Sequence, residues 1–497
     1  MPEFPPHIPD TPASPEEERR AALETTANRQ LAAMAARLKD APLAWRQELP
    51  ITGSLDAATA LSQIEMAGKG VRSAQIALWL SCLAAMLAAL LLAIGLAIKI
   101  RSWPKLQRIK GAAVAAMHAE DVNRTRHIRA SLDARSSGDT KVLIVGRPHL
   151  APAQTQALLR DSGWDGGFAL VWSFGSLLGA LPRGTRICLA GPAAMRQAGY
   201  CPTFAQITAI MLRVFIGAAS ARRWRTSGSS ARQAVFGHTG RADTAMLEEE
   251  MQRQGTPTVH WMHGVSTGMN FNGVSDLCVT LCSHDARWHS ELLDYRKNVA
   301  FPLPKPVFRT GIRPGWVVMT NMTHPAYPYF PIIGCAHEMR LIETIEQLAK
   351  KADVAPGEVT WKPHPVFYQQ DPETRALVSK RIEKAGFALW PDAAMPFDLA
   401  ADHEVVITTP SGVALDLLKT GRLPVMAAFH PIDPGHVLAR IEPMGNDADS
   451  LKRAIDIASD SARAKQLFDR LWSEIEPGEY GSLDQIEAEL PRDKPNY

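Results

Sequence analysis

Two short apolar segments of the chain each end abruptly in residues that suit phosphate binding. The first reads VTWKPHP over 359–365, and the second reads VVITTPSG over 405–412. The prolines around His364 stiffen the backbone, so a partly cationic imidazole is presented with little freedom left to lose. In the second segment, hydroxyl side chains precede a predicted helix over 412–420, whose free amide groups also suit a phosphate. Ligands bind at the carboxyl ends of strands in an open α/β sheet, so the two segments predict one diphosphate-binding pocket.

Strand-length apolar segments alternate with helical segments along two stretches of the chain. The first stretch has strands predicted at 141–146, 168–173, 186–190, 234–237 and 258–262, and the second at 315–320, 359–362, 404–409 and 423–427. Such alternation is typical of a parallel sheet wrapped by helices. A proline-rich segment over 301–306 suits an interdomain linker. We therefore expect an α/β fold with two Rossmann-like domains, at 141–300 and 310–485, and a cleft between them.

The segment 73–98 contains no charged residue and is longer than the roughly 20 apolar residues that cross a bilayer. It predicts a single transmembrane helix after a disordered or helical tail over 1–72 and before a basic linker over 99–140. More basic residues follow it than precede it, namely Lys99, Arg101, Lys105, Arg108 and Lys110 against Lys69 and Arg72. The positive-inside rule then predicts a single-pass protein of the cell inner membrane with a cytoplasmic catalytic part. A buried helix of a soluble domain is the less favoured alternative.

A second apolar stretch, over 204–224, has its apolar residues at helical spacing. Arginines flank them, among them Arg213, Arg222 and Arg223. The pattern fits a packing helix of the core or a surface helix resting on anionic lipid, and core packing is favoured.

Composition bounds the partners and the cofactors. A net charge of +3 over 497 residues is nearly neutral, so no nucleic-acid partner is indicated. The six cysteines are scattered, and no second pair joins Cys278 and Cys282 to complete a zinc set. His284 and His289, with Asp285 beside them, have a spacing that is wrong for one helix face. The sequence also lacks G-x-G-x-x-G and Walker A motifs, so we predict neither a metal nor another cofactor.

Taken together, these segments resemble a known class of enzyme. The pattern of strand-HG at 258–264, strand-KPHP at 359–365 and strand-TTPSG at 405–412, with Asp416 after it, is similar to bacterial surface-polysaccharide transferases of GT-B architecture. The similarity is greatest to capsule polysaccharide transferases of the Kdo and polysialic acid type and to CDP-glycerol glycerophosphotransferases of teichoic acid synthesis. It covers about 140–480 and implies a nucleotide-sugar donor of the CMP or CDP type. It also implies a glycan or lipid-linked acceptor and chemistry without a metal. The domain at 141–300 would bind the acceptor, and the domain at 310–485 would bind the nucleotide donor.

The resemblance assigns roles within the donor-binding set. His364 contacts the donor phosphate, and Thr409 and Ser411 bind the same phosphate from the helix start. Asp416 stands where such enzymes place an acidic residue, usually Glu, that holds ribose hydroxyls. Relatives often have adjacent serines where this chain has Pro410-Ser411-Gly412, so one hydroxyl contact is missing or taken over by Thr408. The full predicted donor-binding set is Lys362, His364, Thr408, Thr409, Ser411, Gly412 and Asp416.

Two residues compete for the role of general base. By resemblance to the HG motif of the teichoic acid enzymes, His263 removes the acceptor proton, which suits an imidazole of near-neutral pKa. Gly264 and Gly268 let the same loop approach a ligand closely. By resemblance to sialyltransferase-like enzymes, Asp243 has that role instead. The structural alternatives are a backbone-bonded histidine at a strand end for His263 and a helix N-cap for Asp243.

The sequence thus predicts a membrane-anchored glycosyltransferase that moves a sugar from a nucleotide donor to a surface polysaccharide or lipid-linked acceptor. A glycerophosphotransferase using the same phosphate clamp is an alternative. So is a non-catalytic GT-B-like subunit of a polysaccharide export or assembly complex. The intact phosphate-binding segments favour an enzyme, because a scaffold has no need of them.

Overall fold

The structure is a computed structural model. It describes residues 33–55, 75–117, 141–146, 151–164, 166–236, 241–262, 274–292, 298–300, 305–320, 335–364, 367–368, 372–391, 401–429, 432 and 436–476. Among these, an N-terminal unit runs to Leu281 and includes 286–300, and a C-terminal unit comprises Cys282–Asp285 and the residues from Lys305 onward. The change between units falls within the proline-rich segment 301–306.

The N-terminal unit contains a parallel sheet of seven strands. Its strands are β1 (Lys110–Met117), β2 (Lys141–Val145), β3 (Gly167–Leu170), β4 (Ser230–Phe236), β5 (Thr258–Trp261), β6 (Leu277–Thr280) and β7 (Asn298–Ala300). They lie in the order β3-β2-β1-β4-β5-β6-β7. The order reverses between β1 and β4, which makes the unit Rossmann-like.

The following helices of this unit lie within the described residues, and the first two of them precede the sheet in the chain. They are α1 (Leu43–Leu55), α2 (Gln75–Lys99), α3 (Pro152–Asp161), α4 (Phe174–Leu189), α5 (Gly191–Ala198), α6 (Phe204–Ser227), α7 (Ala242–Arg253) and α8 (Ser283–Leu292), whose first residues belong to the C-terminal unit. The longest after α2, α6, begins at a capping box in which the Thr203 hydroxyl accepts a hydrogen bond from the N–H of Gln206 (3.3 Å), and it ends at Gly228 with φ 61°.

The prediction of a basic linker over 99–140 is wrong for residues 110–117, because they form strand β1. This strand pairs with β2 on one side and β4 on the other, so it lies in the middle of the sheet. Its sequence, KGAAVAAM, is rich in alanine and glycine, which have low strand propensity. The neighbouring strands supply its hydrogen bonds, and this tertiary pairing overrides local preference.

The strand expected at 186–190 is also wrong, because 174–189 form helix α4. A run of four apolar residues, here 187–190, fits a buried helix as well as a buried strand. Here α4 packs on α6, and the Phe215 ring lies so close to Gly184 that a Cβ there would be 2.7 Å from Phe215 Cδ1. The close approach of the two helices thus requires glycine at 184.

The C-terminal unit contains a parallel sheet of six strands. Its strands are β8 (Arg313–Met319), β9 (Val359–Lys362), β10 (Ala388–Leu389), β11 (His403–Thr408), β12 (Val425–Ala427) and β13 (Met444–Gly445), in the order β10-β9-β8-β11-β12-β13. Its helices within the described residues are α9 (Cys335–Lys351), α10 (Pro372–Lys384), α11 (Gly412–Lys419), α12 (Ala448–Ser459) and α13 (Ser461–Ile475). Both sheets are parallel and Rossmann-like, as expected from the alternation of strands and helices.

Two described helices are long and apolar enough to cross a membrane, Leu78–Lys99 in α2 and Phe204–Ser227, which is α6. In α6, 67% of the most apolar 18-residue stretch is buried. The helix packs on α2, α4 and α7 as part of the core of the N-terminal unit. For α2 the buried share is 28%. The single membrane crossing expected for α2 is not confirmed, because α1 before it and the sheet after it belong to the same packed unit.

Candidate functional site

The two predicted phosphate-binding segments lie on either side of one strand of the C-terminal sheet. In the register of the sheet, Met319 of β8 pairs with Lys362 of β9 and with Thr408 of β11. The carboxyl ends of the three strands are therefore level. Strand order reverses between β8 and β11, and ligands of open α/β sheets bind outside the carboxyl ends at such a reversal.

Backbone hydrogen bonds continue the pairing one residue beyond the strands. The N–H of Thr320 donates to the carbonyl of Lys362 (3.1 Å), and the N–H of Thr409 donates to the carbonyl of Met319 (3.3 Å). On the β9 side, the carbonyl of His364 accepts from the N–H of Phe367 (2.8 Å). Backbone hydrogen bonds thus hold the described ends of β8, β9 and β11 in register.

Three hydroxyl groups at these strand ends are buried without a hydrogen-bond partner. They belong to Thr320, Thr409 and Ser411. A buried hydroxyl without a partner costs about 1–3 kcal/mol of desolvation, so three of them at the ends of neighbouring strands indicate a place where a ligand could supply the partner. The predicted Thr408 hydroxyl differs, because it donates to the carbonyl of Thr409 (3.0 Å). Thr408 therefore supports the loop, and the sequence did not single out Thr320, although it too is a polar residue at the end of an apolar strand.

Ser411 stands at the N-cap of α11 but does not cap it. Its backbone is extended, with φ −159° and ψ 169°, and its side chain makes no capping hydrogen bond. The first amide groups of any helix lack intrahelical partners and carry partial positive charge. A ligand phosphate at this helix start would meet both the amides and the Ser411 hydroxyl.

Asp416 lies one helical turn after Gly412 on the same face of α11. The residues between them that face the core, Ala414 and Leu415, are buried, whereas Asp416 is exposed. A turn of helix advances about 5.4 Å, so Asp416 lies about that far along α11 from the helix start. The position of Asp416 is compatible with the predicted ribose contact.

Lys362 and His364 are partly exposed, on either side of the buried Pro363. Trp361 immediately before them is fully buried, and its indole N–H donates to Glu338 (2.8 Å). The alternation of a strand thus anchors Trp361 in the core and places the partly exposed Lys362 and His364 on the opposite face, at the carboxyl end of β9.

Asp243, one of the two predicted bases, is 3% exposed and lies in the first turn of α7. Arg241, and not Asp243, occupies the N-cap position of this helix. The Asp243 carboxylate accepts the N–H of Thr244 (3.2 Å) and lies near the charge of Arg213. These contacts favour a structural role for Asp243.

The buried carboxylate of a residue in α1, Glu48, lies at the start of α7. Glu48 of α1 accepts two hydrogen bonds of 2.5 Å from Arg213, one of 3.2 Å from Arg241, and one of 2.8 Å from the N–H of Ala242. Burial by itself raises the pKa of the Glu48 carboxyl, but the arginine charges and these hydrogen bonds outweigh it and hold that pKa below the ordinary 4.5. Local sequence patterns could not indicate this contact, because Arg213 and Arg241 lie far from Glu48 along the chain.

The other predicted base, His263, lies outside the described residues, as do Gly264 and Gly268. His260 on β5 is 2% exposed, in agreement with a buried histidine. Within the described ranges, no three His, Cys, Asp or Glu side chains form a group that could hold a metal ion.

Comparisons with known proteins identify no family. No protein-family model matches the chain, and no curated protein matches it. Among solved structures it resembles the S. aureus MnaA–UDP co-structure (TM-score 0.43, 12% identity, 78% of this chain and 99% of that one). It also resembles MurG from Acinetobacter baumannii (0.42, 9%, 73% and 96%) and a glycosyltransferase from Rickettsia africae (0.44, 10%, 76% and 98%). The proposals below rest on the chain's own residues.

Proposed function

We propose that the protein is a metal-independent glycosyltransferase of GT-B architecture that takes a sugar from a CMP- or CDP-type nucleotide donor. The observation that carries the proposal is the group of buried, unpartnered hydroxyls of Thr320, Thr409 and Ser411 at the strand reversal of the C-terminal sheet. A donor phosphate would accept hydrogen bonds from all three and recover the desolvation cost of each.

The donor phosphates become the leaving group when the glycosidic bond to the sugar breaks. His364 and Lys362 would contribute positive charge, and Ser411, Gly412 and the start of α11 would contribute hydroxyl and amide donors. Groups fixed in place before the reaction stabilise developing charge without reorganising. Asp416 would hold the ribose.

The acceptor hydroxyl must lose its proton as it attacks the sugar carbon. We assign this role to His263, because the burial and contacts of Asp243 favour a structural role for the latter. An imidazole takes the proton and can return it to solvent near neutral pH.

We propose a glycan or lipid-linked acceptor of the cell envelope, and therefore association with the inner membrane with the catalytic part in the cytoplasm, where nucleotide sugars are available. A glycerophosphotransferase is the second candidate, since the phosphate site described here would serve either transfer. A non-catalytic subunit of a polysaccharide export or assembly complex has no use for three unpartnered hydroxyls at a strand reversal.

Calorimetry on the full-length protein tests the donor site. We expect CMP or CDP to bind, and His364→Ala to weaken binding by roughly 1.5–3 kcal/mol, because a charge-assisted hydrogen bond is lost. His403→Ala is the matched control, since His403 lies at the opposite, amino end of β11 in the same sheet and should leave affinity unchanged.

Wild-type protein that binds none of CMP, CDP and UDP would refute the donor site. Equal affinity in the His364→Ala variant would remove His364 from it. Analysis of the modified acceptor then separates the two candidates. A glycosyltransferase joins the sugar to the acceptor through a glycosidic bond and transfers no phosphorus, whereas a glycerophosphotransferase given CDP-glycerol releases CMP and leaves the other phosphate in the acceptor as a phosphodiester.

A further inference from the structure

Helix α2 has one face of small apolar side chains and an opposite face of large ones. One face carries Ala85, Ala89, Ala93 and Ala97, at most 4% exposed, and packs on α6 and α4. The opposite face carries Leu80, Leu87 and Leu91, which are 60–61% exposed, with Leu83 in the same stripe. Small side chains let helices approach closely, whereas exposed leucines in this number are costly in water.

Two helices that pack on α2 also carry exposed apolar side chains. Phe174, Leu178 and Leu189 of α4 and Phe204 at the start of α6 are each at least 40% exposed. Most of the large hydrophobic side chains that are exposed in the described part of the chain lie on these three helices. We call the exposed apolar residues of α2, α4 and α6 the leucine surface. An apolar patch of this extent marks an interaction site.

The chain before α2 is fastened to the same unit as the chain after it. Besides the buried Glu48 cluster, the indole N–H of Trp45 donates to the carbonyl of Ile187 (2.7 Å), and Arg37 donates to the carbonyl of Ala198 (2.8 Å). Trp45 packs so tightly that a Cβ on Gly191 would lie 2.4 Å from its ring. A helix that crossed a bilayer once would place α1 and the sheet on opposite sides, and these contacts require the same side.

Exposed positive charge adjoins one end of the leucine surface. Lys99 at the end of α2 and Arg101 and Arg108 after it are exposed, and no acidic residue occurs from 75 to 117. Lysine and arginine near an anionic lipid surface each contribute favourably to binding. An apolar face bordered by basic residues suits a bilayer better than it suits a soluble protein partner.

We propose that α2 lies along the surface of an anionic bilayer with the leucine surface inserted, so that both ends of the helix stay on the cytoplasmic side. The inference rests on the membrane association proposed above and specifies its geometry, in place of a single crossing. This placement explains why α2 is apolar on all sides, because one face of the helix meets protein and the other meets lipid. The N-terminal unit, to which we assign acceptor binding, would then be held directly against the membrane that carries a lipid-linked acceptor.

Flotation with vesicles of phosphatidylglycerol and phosphatidylethanolamine tests the surface, with the full-length protein transferred from detergent. The combined Leu80→Gln, Leu87→Gln and Leu91→Gln variant should bind roughly 100-fold more weakly, because three side chains lose their apolar environment. Val307→Gln with Ile312→Gln is the matched control: these residues are 86% and 82% exposed in the C-terminal unit, and their replacement should leave binding unchanged.

Thiol labelling tests the topology separately. Lys39→Cys and Glu383→Cys, both at exposed positions, are made singly in a Cys201→Ser background that removes an exposed free cysteine. With a membrane-impermeant maleimide, both should label in inverted inner-membrane vesicles and neither in right-side-out vesicles. Labelling from opposite sides would establish a single crossing and overturn the proposal.

Two further outcomes would also overturn it. Vesicle binding that is equal in the leucine variant and wild type would place the membrane contact elsewhere. Failure of the wild type to bind vesicles, with a lipid-free dimer in sedimentation that the leucine variant abolishes, would assign the leucine surface to a second copy of the chain. Neither result would bear on nucleotide binding, which calorimetry measures independently.

Discussion

Glu48→Ala is expected to lower the free energy of unfolding of the N-terminal unit by roughly 3–5 kcal/mol, because it leaves the largely buried Arg213 guanidinium without its partner. Chemical denaturation followed by tryptophan fluorescence measures the loss. Glu249→Ala is the control, since Glu249 pairs with Arg183 and Arg253 at the surface of the same unit and should cost less than about 1 kcal/mol. A loss as small as that of the control would show that Glu48 does not hold α1 in place.

The Glu48 effect should also depend on pH. The pKa of this carboxyl is lowered in the folded protein, so its stabilising contribution is fully present above its unfolded value of about 4.5. The contribution declines as the pH falls toward the lower folded value. The difference in stability between wild type and Glu48→Gln should therefore be larger at pH 7 than at pH 4. A difference that grew in acid would contradict the ion pair.

His263→Ala is expected to reduce turnover by about 10²-fold or more while nucleotide affinity stays nearly unchanged, because a general base acts in the transition state. Steady-state kinetics with the donor and acceptor, together with calorimetry, separate the two quantities. Asp243→Asn is the control: it keeps the size of a buried side chain and should alter stability more than turnover.

The opposite pattern would reassign the base. A folded Asp243→Asn variant without activity, beside an active His263→Ala variant, would return the role to the carboxylate. Full activity in both would mean that neither residue removes the proton.

The alignment of the two predicted phosphate-binding segments at one end of the sheet could be predicted from sequence because each segment is a local pattern. Lys362 and Thr408 end apolar strands, and parallel strands bring their carboxyl ends to one edge whatever their separation along the chain. The Thr320 hydroxyl was missed because a single polar residue at the end of an apolar strand does not by itself indicate a ligand site. Its importance arises only where β8 lies between β9 and β11.

The membrane prediction failed to separate two kinds of apolar residue. Alanine and leucine both count as apolar in a segment without charge, yet in α2 they lie on opposite faces with different neighbours. The Glu48 contact that fixes α1 beside the sheet joins residues far apart in sequence, so local patterns could not reveal it. Topology here depends on tertiary contacts.

The central place of β1 determines where the chain can be shortened. A soluble enzyme fragment would ordinarily be made by cutting just after the apolar segment, anywhere up to about residue 140. Such a cut removes the strand between β2 and β4 and leaves two unpaired edges in the middle of the sheet, which invite aggregation. Because β1 begins only eleven residues after α2 ends at Lys99, the fragment must start between 100 and 109, and it would then expose the surfaces of α4 and α6 that the alanine face of α2 covers. Solubility is better sought by replacing exposed leucines in the intact protein than by truncation.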